Sequence, residues 1–125
     1  MSGLTIPQVI ELHEDLIADH GGLPGVLDLG KLDSALAQPV SQVFGVVRYR
    51  SAVDQAAAYL YYVVETHAFL DGNKRTAIAC CLIWLQLNAV RHRMDEDFLF
   101  GLTLSVANGQ FQPEQISALI GGHLL

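Results

Sequence analysis

Apolar residues recur at helical spacing along most of this chain, and that spacing predicts helices rather than strands. The first segment places one apolar set on a single face: Val9, Ile10, Leu12, Leu16 and Ile17. Pro7 is favourable at a helix start and Gly21-Gly22 interrupts the pattern, so we predict a first helix between them. Asp28 is a suitable cap for a short second helix that ends before Pro39.

Two later segments are apolar nearly all round, as expected for helices at the centre of a bundle. They run from Ser51 to about Thr66 and from Lys74 to about Ala89. Asp95 caps one further helix and Pro113 starts a last one. Between the second helix and Ser51, residues 39–50 are rich in β-branched and aromatic side chains around a glycine, which indicates a flap or a short hairpin.

Length and composition fit one compact globular domain over residues 1–125, with 51% hydrophobic and 16% charged residues. Together with the periodicity, they predict an all-α fold, a bundle of about six helices with the flap near residues 40–50. Cys80 and Cys81 are adjacent in an apolar stretch, which favours two buried thiols over a disulfide.

The charge distribution limits the classes of partner. A net charge of −6 argues against direct binding to nucleic acid or to an anionic membrane. The most apolar segment, Thr76–Val90, is too short to span a bilayer, and the chain opens without the pattern of a secretory signal. We therefore expect a cytoplasmic protein. Six of the seven Lys and Arg residues lie between Arg48 and Arg93, which places any anion site in the middle of the chain.

The connection between the two central helices, His67-Ala-Phe-Leu-Asp-Gly-Asn-Lys-Arg75, concentrates polar side chains between apolar segments. Its Asp-Gly-Asn turn puts Lys74 and Arg75 in the first turn of the following helix. Cations are unfavourable there because the positive end of the helix dipole lies beside them, and a bound phosphate would reverse that effect. The predicted phosphate site consists of Gly72, Asn73, Lys74 and Arg75.

Two more residues of the connection fit phosphate transfer. His67 is a candidate general base, because histidine exchanges protons readily near neutral pH. Asp71 offers a hard oxygen ligand for Mg²⁺ beside the phosphates. Each residue alone also has a structural interpretation: His67 as part of a helix end, Asp71 as a cap, and Lys74 and Arg75 as solvated surface. The combination favours a site.

These residues resemble the Fic/Doc family, whose motif is His-x-Phe-x-(Asp/Asn)-(Ala/Gly)-Asn-(Gly/Lys)-Arg. Residues 67–75 match every fixed position of that motif. Outside it, Gly21-Gly22, the helix before Pro39, Phe44-Gly45 and the helical tail are similar to the death-on-curing (Doc) branch over nearly the full length. The resemblance implies the Fic/Doc fold.

For the activity, the resemblance implies that His67 activates a hydroxyl of the target and that Asp71 holds Mg²⁺. Gly72 to Arg75 would form the anion hole for the phosphates of ATP or another nucleoside triphosphate. The AMP-transferring branch has glycine where Lys74 stands and a second arginine where Ile78 stands, so we favour phosphate transfer by a protein kinase. By family analogy, the protein would be a toxin that modifies translation elongation factor Tu and thereby blocks translation. A separate cognate antitoxin would restrain it.

Two other functions remain open from the sequence: an AMP transferase on the same scaffold, and an inactive helical module that only binds a partner. The predicted docking flap comprises Phe44, Arg48, Tyr49 and Arg50. This segment either places the protein substrate beside His67 or merely connects two helices. Asp19, Glu65 and Ala79 stand where phage-type members have basic or polar residues, which predicts weaker phosphate binding. Glu65 is either a second carboxylate near the site or an exposed polar residue.

Overall fold

The computed structural model describes residues 2–125, and most of their regular structure is helical. Within those residues, the helices are α1 (Ile6–His20), α2 (Leu29–Ala37), α3 (Ala52–Thr66), α4 (Asn73–Leu87), α5 (Glu96–Ala107) and α6 (Pro113–Gly121). A 3-10 turn (Gln38–Val40) and two short strands, β1 (Gln42–Val43) and β2 (Val46–Val47), lie between α2 and α3. The predicted all-α fold is confirmed.

Polar side chains cap the helices where the sequence places them. Asp28 accepts the Lys31 N–H at 3.0 Å at the start of α2, and Asp95 accepts the Phe98 N–H at 2.9 Å at the start of α5. A cap of this kind satisfies one N–H group that a helix start leaves unpaired, and typically contributes about 1 kcal/mol. Because each cap side chain and the N–H that donates to it are three residues apart in sequence, these helix starts were predictable.

The centre of the bundle is formed by α3 and α4. α3 packs against α2, α4, α5 and α6, and residues 55–60 are all buried. Gln55 joins the central helices to the segment before α3: its Oε1 accepts the Trp84 indole N–H at 3.0 Å, and its Nε2 donates to the Tyr49 carbonyl at 3.0 Å. Because neighbours cover most of its circumference, α3 has the nearly continuous apolar sequence that identified it.

Cys80 and Cys81 are both buried in α4 and form no disulfide, as predicted. Burial raises the pKa of each thiol to about 12, so both stay protonated at neutral pH. The thiolate is the reactive form of cysteine, so these two side chains serve as small core residues.

The segment before α3 contains a short hairpin, one of the two forms predicted for it. β1 and β2 pair antiparallel and are joined by Phe44 and Gly45. These two residues have φ of 51° and 77°, the left-handed backbone that matches a two-residue turn to the twist of its strands. The Phe44 side chain is fully exposed at the tip.

α4 ends slightly earlier than predicted. Its last residue is Leu87, and Ala89 follows with a positive φ of 56° that ends the helical path. Arg91 and Arg93 therefore lie beyond the C-terminus of α4 and not on its last turn. Among the described residues, no helix is both long enough and apolar enough to cross a membrane.

Candidate active site

The connection between α3 and α4 forms one wall of a surface cleft of about 300 Å³. The cleft is lined by His67, Leu70, Asp71, Gly72, Asn73, Lys74, Arg75 and Phe100. The folded chain therefore brings the predicted base, the predicted metal ligand and the predicted phosphate-binding residues to one open surface. Their roles stay predictions.

His67 lies at the C-terminal cap of α3 and its side chain is exposed. Its backbone is left-handed, with φ 49° and ψ 47°. A residue with a Cβ pays roughly 1–2 kcal/mol for that conformation. Such strain persists only where the surroundings hold it, and it is common at functional positions. The turn at His67 ends α3 and directs the chain toward the cleft.

Backbone hydrogen bonds hold the connection from the side of the α1–α2 loop. Val26 forms a β-bridge with Phe69, and the Leu70 N–H donates to the Gly25 carbonyl at 3.1 Å. Phe69 is 1% exposed and anchors the connection in the core. These contacts fix the backbone between His67 and Asp71, so the connection is an ordered part of the fold.

Asn73 stabilises the connection from within. Its Oδ1 accepts the Phe69 N–H at 3.0 Å and its Nδ2 donates to the Phe69 carbonyl at 2.9 Å. The sequence pattern placed Asn73 in the turn before the helix, whereas the cap position belongs to Gly72 and Asn73 is the first helical residue. Because the side chain of Asn73 is hydrogen-bonded to Phe69, only the backbone N–H of Asn73 is left to bind a phosphate.

The start of α4 provides further N–H groups. The first helical bond is from the Thr76 N–H to the Gly72 carbonyl at 3.0 Å, and the Thr76 hydroxyl donates to the same oxygen at 2.8 Å. The N–H groups of residues 73–75 precede that bond and have no acceptor inside the helix. Gly72 has φ 76°, and a Cβ there would lie 3.2 Å from Ile17 Cδ1, so both the conformation and the packing favour glycine.

Two cations stand beside these N–H groups. The Lys74 and Arg75 side chains are both exposed. The Arg75 guanidinium lies 5.6 Å from the centroid of the Phe100 ring on α5, a cation–π distance that orients it. The helix start, its dipole and the two charges together form a surface suited to an anion such as phosphate.

Asp71 is exposed at the rim of the cleft, and each of its carboxylate oxygens accepts one backbone N–H. Oδ1 accepts from Gly72 at 2.9 Å and Oδ2 from Leu23 at 3.2 Å. An ionised carboxylate has about four acceptor positions, so two remain for a cation. Among the described residues, no group of three or more His, Cys, Asp or Glu side chains could hold a metal. One exposed carboxylate with open acceptor positions fits Mg²⁺, which commonly takes one or two carboxylates and completes its shell with phosphates and water.

A second cleft of about 190 Å³ adjoins the first, sharing Arg75 and Phe100 with it. Its walls are mainly apolar and include Ile78 and Ala79 on α4. The adjoining clefts place an apolar surface next to the cationic start of α4.

The four residues of the predicted docking flap have different surroundings. Phe44 and Arg50 are exposed, and the Arg48 guanidinium donates to Gln38 Oε1 at 3.1 Å. Tyr49 is buried, and its hydroxyl pairs with that of Tyr62 at 3.0 Å. Burial raises the pKa of Tyr49 above its usual value, so its hydroxyl stays neutral. Tyr49 therefore anchors the segment, while Phe44 presents its tip.

Some residues around the connection escaped the sequence analysis. His13, on α1, is 1% exposed and its Nε2 lies 2.7 Å from the Asp71 carbonyl oxygen. The only sequence signal was its spacing, because His13 stands four positions from Val9 and from Ile17 on the buried face of α1. Phe100 gave no signal, since its place in the cleft depends on how α5 packs.

The residues that depart from phage-type sequences lie on the surface. Asp19, on α1, and Glu65, on the last turn of α3, are both exposed. Of the two interpretations of Glu65, its exposure fits the surface polar residue, and Glu65 is not among the side chains that line the cleft of His67. Ala79 is half-buried beside Ile78 in the apolar cleft.

Comparisons with known proteins point to one family. Residues 3–85 match the family model described as Fic/DOC family. The chain is 31% identical over 120 residues to the Protein kinase doc of Escherichia phage P1, a match that covers 94% of this chain and 91% of that protein. It is 44% identical over 77 residues to the Toxin Doc of Mycolicibacterium smegmatis. That second match covers 62% of this chain and 59% of the relative, so it spans about three fifths of the relative's own length.

Proposed function

We propose that this chain, which belongs to the Fic/Doc family and is similar to proteins of its Doc branch, is a Doc-like toxin. It transfers phosphate from a nucleoside triphosphate to a hydroxyl of a protein. The observation that carries this proposal is the single cleft that unites His67, Asp71 and the cationic start of α4. Two similar proteins named as a toxin and as a protein kinase support the same activity.

His67 is the proposed general base. Its exposed imidazole takes the proton of the target hydroxyl while the hydroxyl oxygen bonds to the γ-phosphorus. The bond between that phosphorus and the β–γ bridging oxygen breaks, and the nucleoside diphosphate leaves with that oxygen. General-base catalysis of this kind contributes roughly 10²–10⁴-fold to the rate.

The start of α4 is the proposed site for the transferred phosphate. There, the negative charge of the phosphoryl oxygens faces the N–H groups of residues 73–75 and the positive charges of Lys74 and Arg75. Donors that are already in place when the charge spreads in the transition state cost no reorganisation. Arg75 is held for this task by its contact with Phe100.

Asp71 is the residue that would hold Mg²⁺, through the acceptor positions that Gly72 and Leu23 leave open. When bound, Mg²⁺ neutralises charge on the phosphate oxygens and fixes their orientation. ATP is the proposed donor, and another nucleoside triphosphate would satisfy the same phosphate site.

Phosphate transfer is favoured over AMP transfer by two positions of α4. Lys74 places a cation at the rim of the cleft, where AMP-transferring members have glycine. Ile78, in place of their second arginine, makes the adjoining surface apolar. The cationic surface is therefore concentrated on the first turn of α4, which suits a single transferred phosphate.

The proposed macromolecular partners follow from the family. The protein substrate is translation elongation factor Tu by analogy, and its modification would block translation. A cognate antitoxin is proposed because one of the similar proteins is named a toxin. We expect a neighbouring gene to encode this partner, a small protein that binds this chain and suppresses its toxicity.

The test is to incubate the purified protein with a cell lysate, Mg²⁺ and ATP labelled in either the γ or the α position. His67→Ala is the diagnostic variant, and His92→Ala is the matched control because His92 follows the other end of α4. We expect the γ label alone to reach a lysate protein, with a loss of roughly 10²–10⁴-fold in His67→Ala and no loss in the control. Mass spectrometry of the labelled band identifies the target.

The other outcomes separate the alternatives. Transfer of the α label would replace the kinase with an AMP transferase at the same site. Unchanged labelling by a folded His67→Ala variant would refute the role of His67. Failure of both labels with lysate and with purified elongation factor Tu would favour the partner-binding module.

A further inference from the structure

A histidine buried in α1 contacts the candidate active site from inside the protein. The His13 ring stacks on Phe69 with centroids 3.9 Å apart and planes inclined by 12°. Its Nε2 lies 2.7 Å from the carbonyl oxygen of Asp71. A carbonyl oxygen can only accept, so Nε2 carries the hydrogen and donates it. His13 is 1% exposed and does not line the cleft, so it cannot touch the reacting atoms itself.

The contact of His13 acts on one peptide unit. The Asp71 carbonyl and the Gly72 N–H belong to the same peptide plane. His13 holds the oxygen end of that plane, and Asp71 Oδ1 holds its N–H end at 2.9 Å. Because Gly72 has a left-handed φ of 76°, the chain reverses direction at this plane just before α4 begins.

The loop after α1 holds the same residue by its side chain. The Leu23 N–H donates to Asp71 Oδ2 at 3.2 Å. Gly22 allows this approach, since a Cβ at its position would lie 2.9 Å from Asp71 Oδ2, and its φ of 115° also favours glycine. One helix and the loop that follows it therefore hold both the backbone and the carboxylate of Asp71.

We propose that His13 is a positioning residue of the transfer reaction. It fixes the Asp71–Gly72 peptide, and through it the direction of the Asp71 carboxylate and of the first N–H groups of α4. This inference rests on the proposed function. Without the His13 donor, only the contact with Asp71 Oδ1 holds the peptide plane, and its carbonyl can turn toward the phosphates, where a negative dipole opposes binding. A displacement of about 1 Å in such a site can cost on the order of 10²-fold in rate.

The test compares two substitutions at one position. His13→Phe keeps a ring to stack on Phe69 but removes the donor, whereas His13→Gln keeps a side-chain N–H that can reach the Asp71 carbonyl. Val9→Ala is the matched control, because Val9 is equally buried one turn earlier on α1. Each variant is measured for kcat, for KM of ATP, for melting temperature and for amide hydrogen exchange at Gly72.

We expect His13→Phe to lower kcat by roughly 10–100-fold and to speed exchange of the Gly72 amide at least tenfold. His13→Gln should recover most of both effects. Val9→Ala should lower the melting temperature while kcat and the Gly72 exchange rate stay near those of the native protein. This pattern separates positioning from general stability.

The proposal is overturned if His13→Phe leaves kcat and the Gly72 exchange rate within threefold of the native values. It is also overturned if His13→Phe and His13→Gln lower kcat and speed Gly72 exchange equally, and if these changes scale with the fall in melting temperature as they do in Val9→Ala. The exchange measurement uses the free protein, so it decides the role of His13 even where no transfer is detected. Absence of transfer by the native protein would instead count against the proposed function.

Discussion

Lys74 stands in the first turn of α4, where the helix dipole makes a cation unfavourable by a few tenths of a kcal/mol. The Lys74 side chain is exposed. This position, unfavourable for a cation in the free state and beside unpaired N–H groups, is one basis of the proposed phosphate site.

Lys74→Ala should therefore separate stability from ligand affinity. Without nucleotide, we expect the melting temperature to stay unchanged or rise slightly, because the repulsion with the helix dipole is removed. The affinity for a non-hydrolysable ATP analogue should fall roughly 10–150-fold, since a charge-assisted hydrogen bond contributes about 1.5–3 kcal/mol. Calorimetry measures both quantities.

Lys31→Ala is the control for this prediction. Lys31 is also an exposed lysine in the first turn of a helix, α2, but it does not line the cleft. Its removal should leave nucleotide affinity unchanged. Equal affinities for the native protein and for Lys74→Ala would contradict the phosphate site at this residue.

At the scale of elements, the hairpin between α2 and α3 has an anchored base and an open tip. Tyr49 and Gln55 tie the base to α3, whereas Phe44 is fully exposed. An exposed aromatic side chain on a short, ordered hairpin is suited to contact with another protein, since aromatic residues often dominate binding energy at interfaces.

Phe44→Ala should leave the melting temperature and nucleotide affinity unchanged, because the ring contributes little to the fold. If the hairpin docks the protein substrate, KM for that substrate should rise roughly tenfold while kcat changes little. Leu104→Ala serves as the control, because Leu104 is an exposed apolar residue on α5 outside the cleft. Identical KM values in the native protein and Phe44→Ala would leave the hairpin as a connecting segment.

The link between α3 and α4 gives a prediction about stability. Gln55→Leu removes the acceptor of the Trp84 indole N–H and the donor to the Tyr49 carbonyl, both in buried surroundings. Leaving such groups unpaired typically costs about 1–3 kcal/mol each. We expect a fall of that order in the free energy of unfolding, measured by urea titration.

Gln86→Leu provides the comparison, because Gln86 is an exposed glutamine on α4. It should change the free energy of unfolding by no more than about 0.5 kcal/mol. A similar, small effect of both substitutions would show that the Gln55 bonds add little to the packing of α3 on α4.

At the scale of the whole molecule, Tyr59 connects the N-terminal segment to the core. Its hydroxyl accepts the Leu4 N–H at 2.8 Å, and its ring packs 5.2 Å from that of Trp84. Burial raises the pKa of Tyr59 from 10.0 to about 12, because the phenolate would lose its hydration.

This shift predicts the direction of the change in stability with pH. Below pH 10 the hydroxyl is protonated in both states, so its contribution to stability is complete. Above that pH the unfolded chain ionises first, so the free energy of unfolding should decrease as pH rises toward 12, by about 1.4 kcal/mol per unit of pKa difference.

Urea titrations between pH 9 and 12 on the native protein and on Tyr59→Phe would test this. The variant should be less stable at pH 9, because the Leu4 N–H loses its acceptor, but its stability should decline less steeply. Tyr61→Phe is the control, as Tyr61 is half-buried on the same helix. An equally steep decline in Tyr59→Phe would assign the alkaline loss of stability to other groups.

Local sequence patterns did not predict the residues from distant parts of the chain that contact the connection. His13 lies 58 positions before Asp71, and Leu23 lies 48 positions before it, yet both hold that residue. Phe100 enters the cleft from α5. Such neighbours depend on how helices pack, and a spacing rule within one helix carries no information about the partner of its buried face.

By itself, the sequence determined the features of this protein that depend on interactions three or four residues apart. Caps such as Asp28 and Asp95, the apolar periodicity of α1 and the nearly continuous apolar sequence of α3 fix where helices form. The sequence also determined that the candidate site residues between His67 and Arg75 lie together, because that motif is contiguous. Only the tertiary structure decided that Tyr49 is an anchor and that a buried histidine supports Asp71. Packing of distant segments creates these contacts, and the buried polar groups they pair have no counterpart in local sequence.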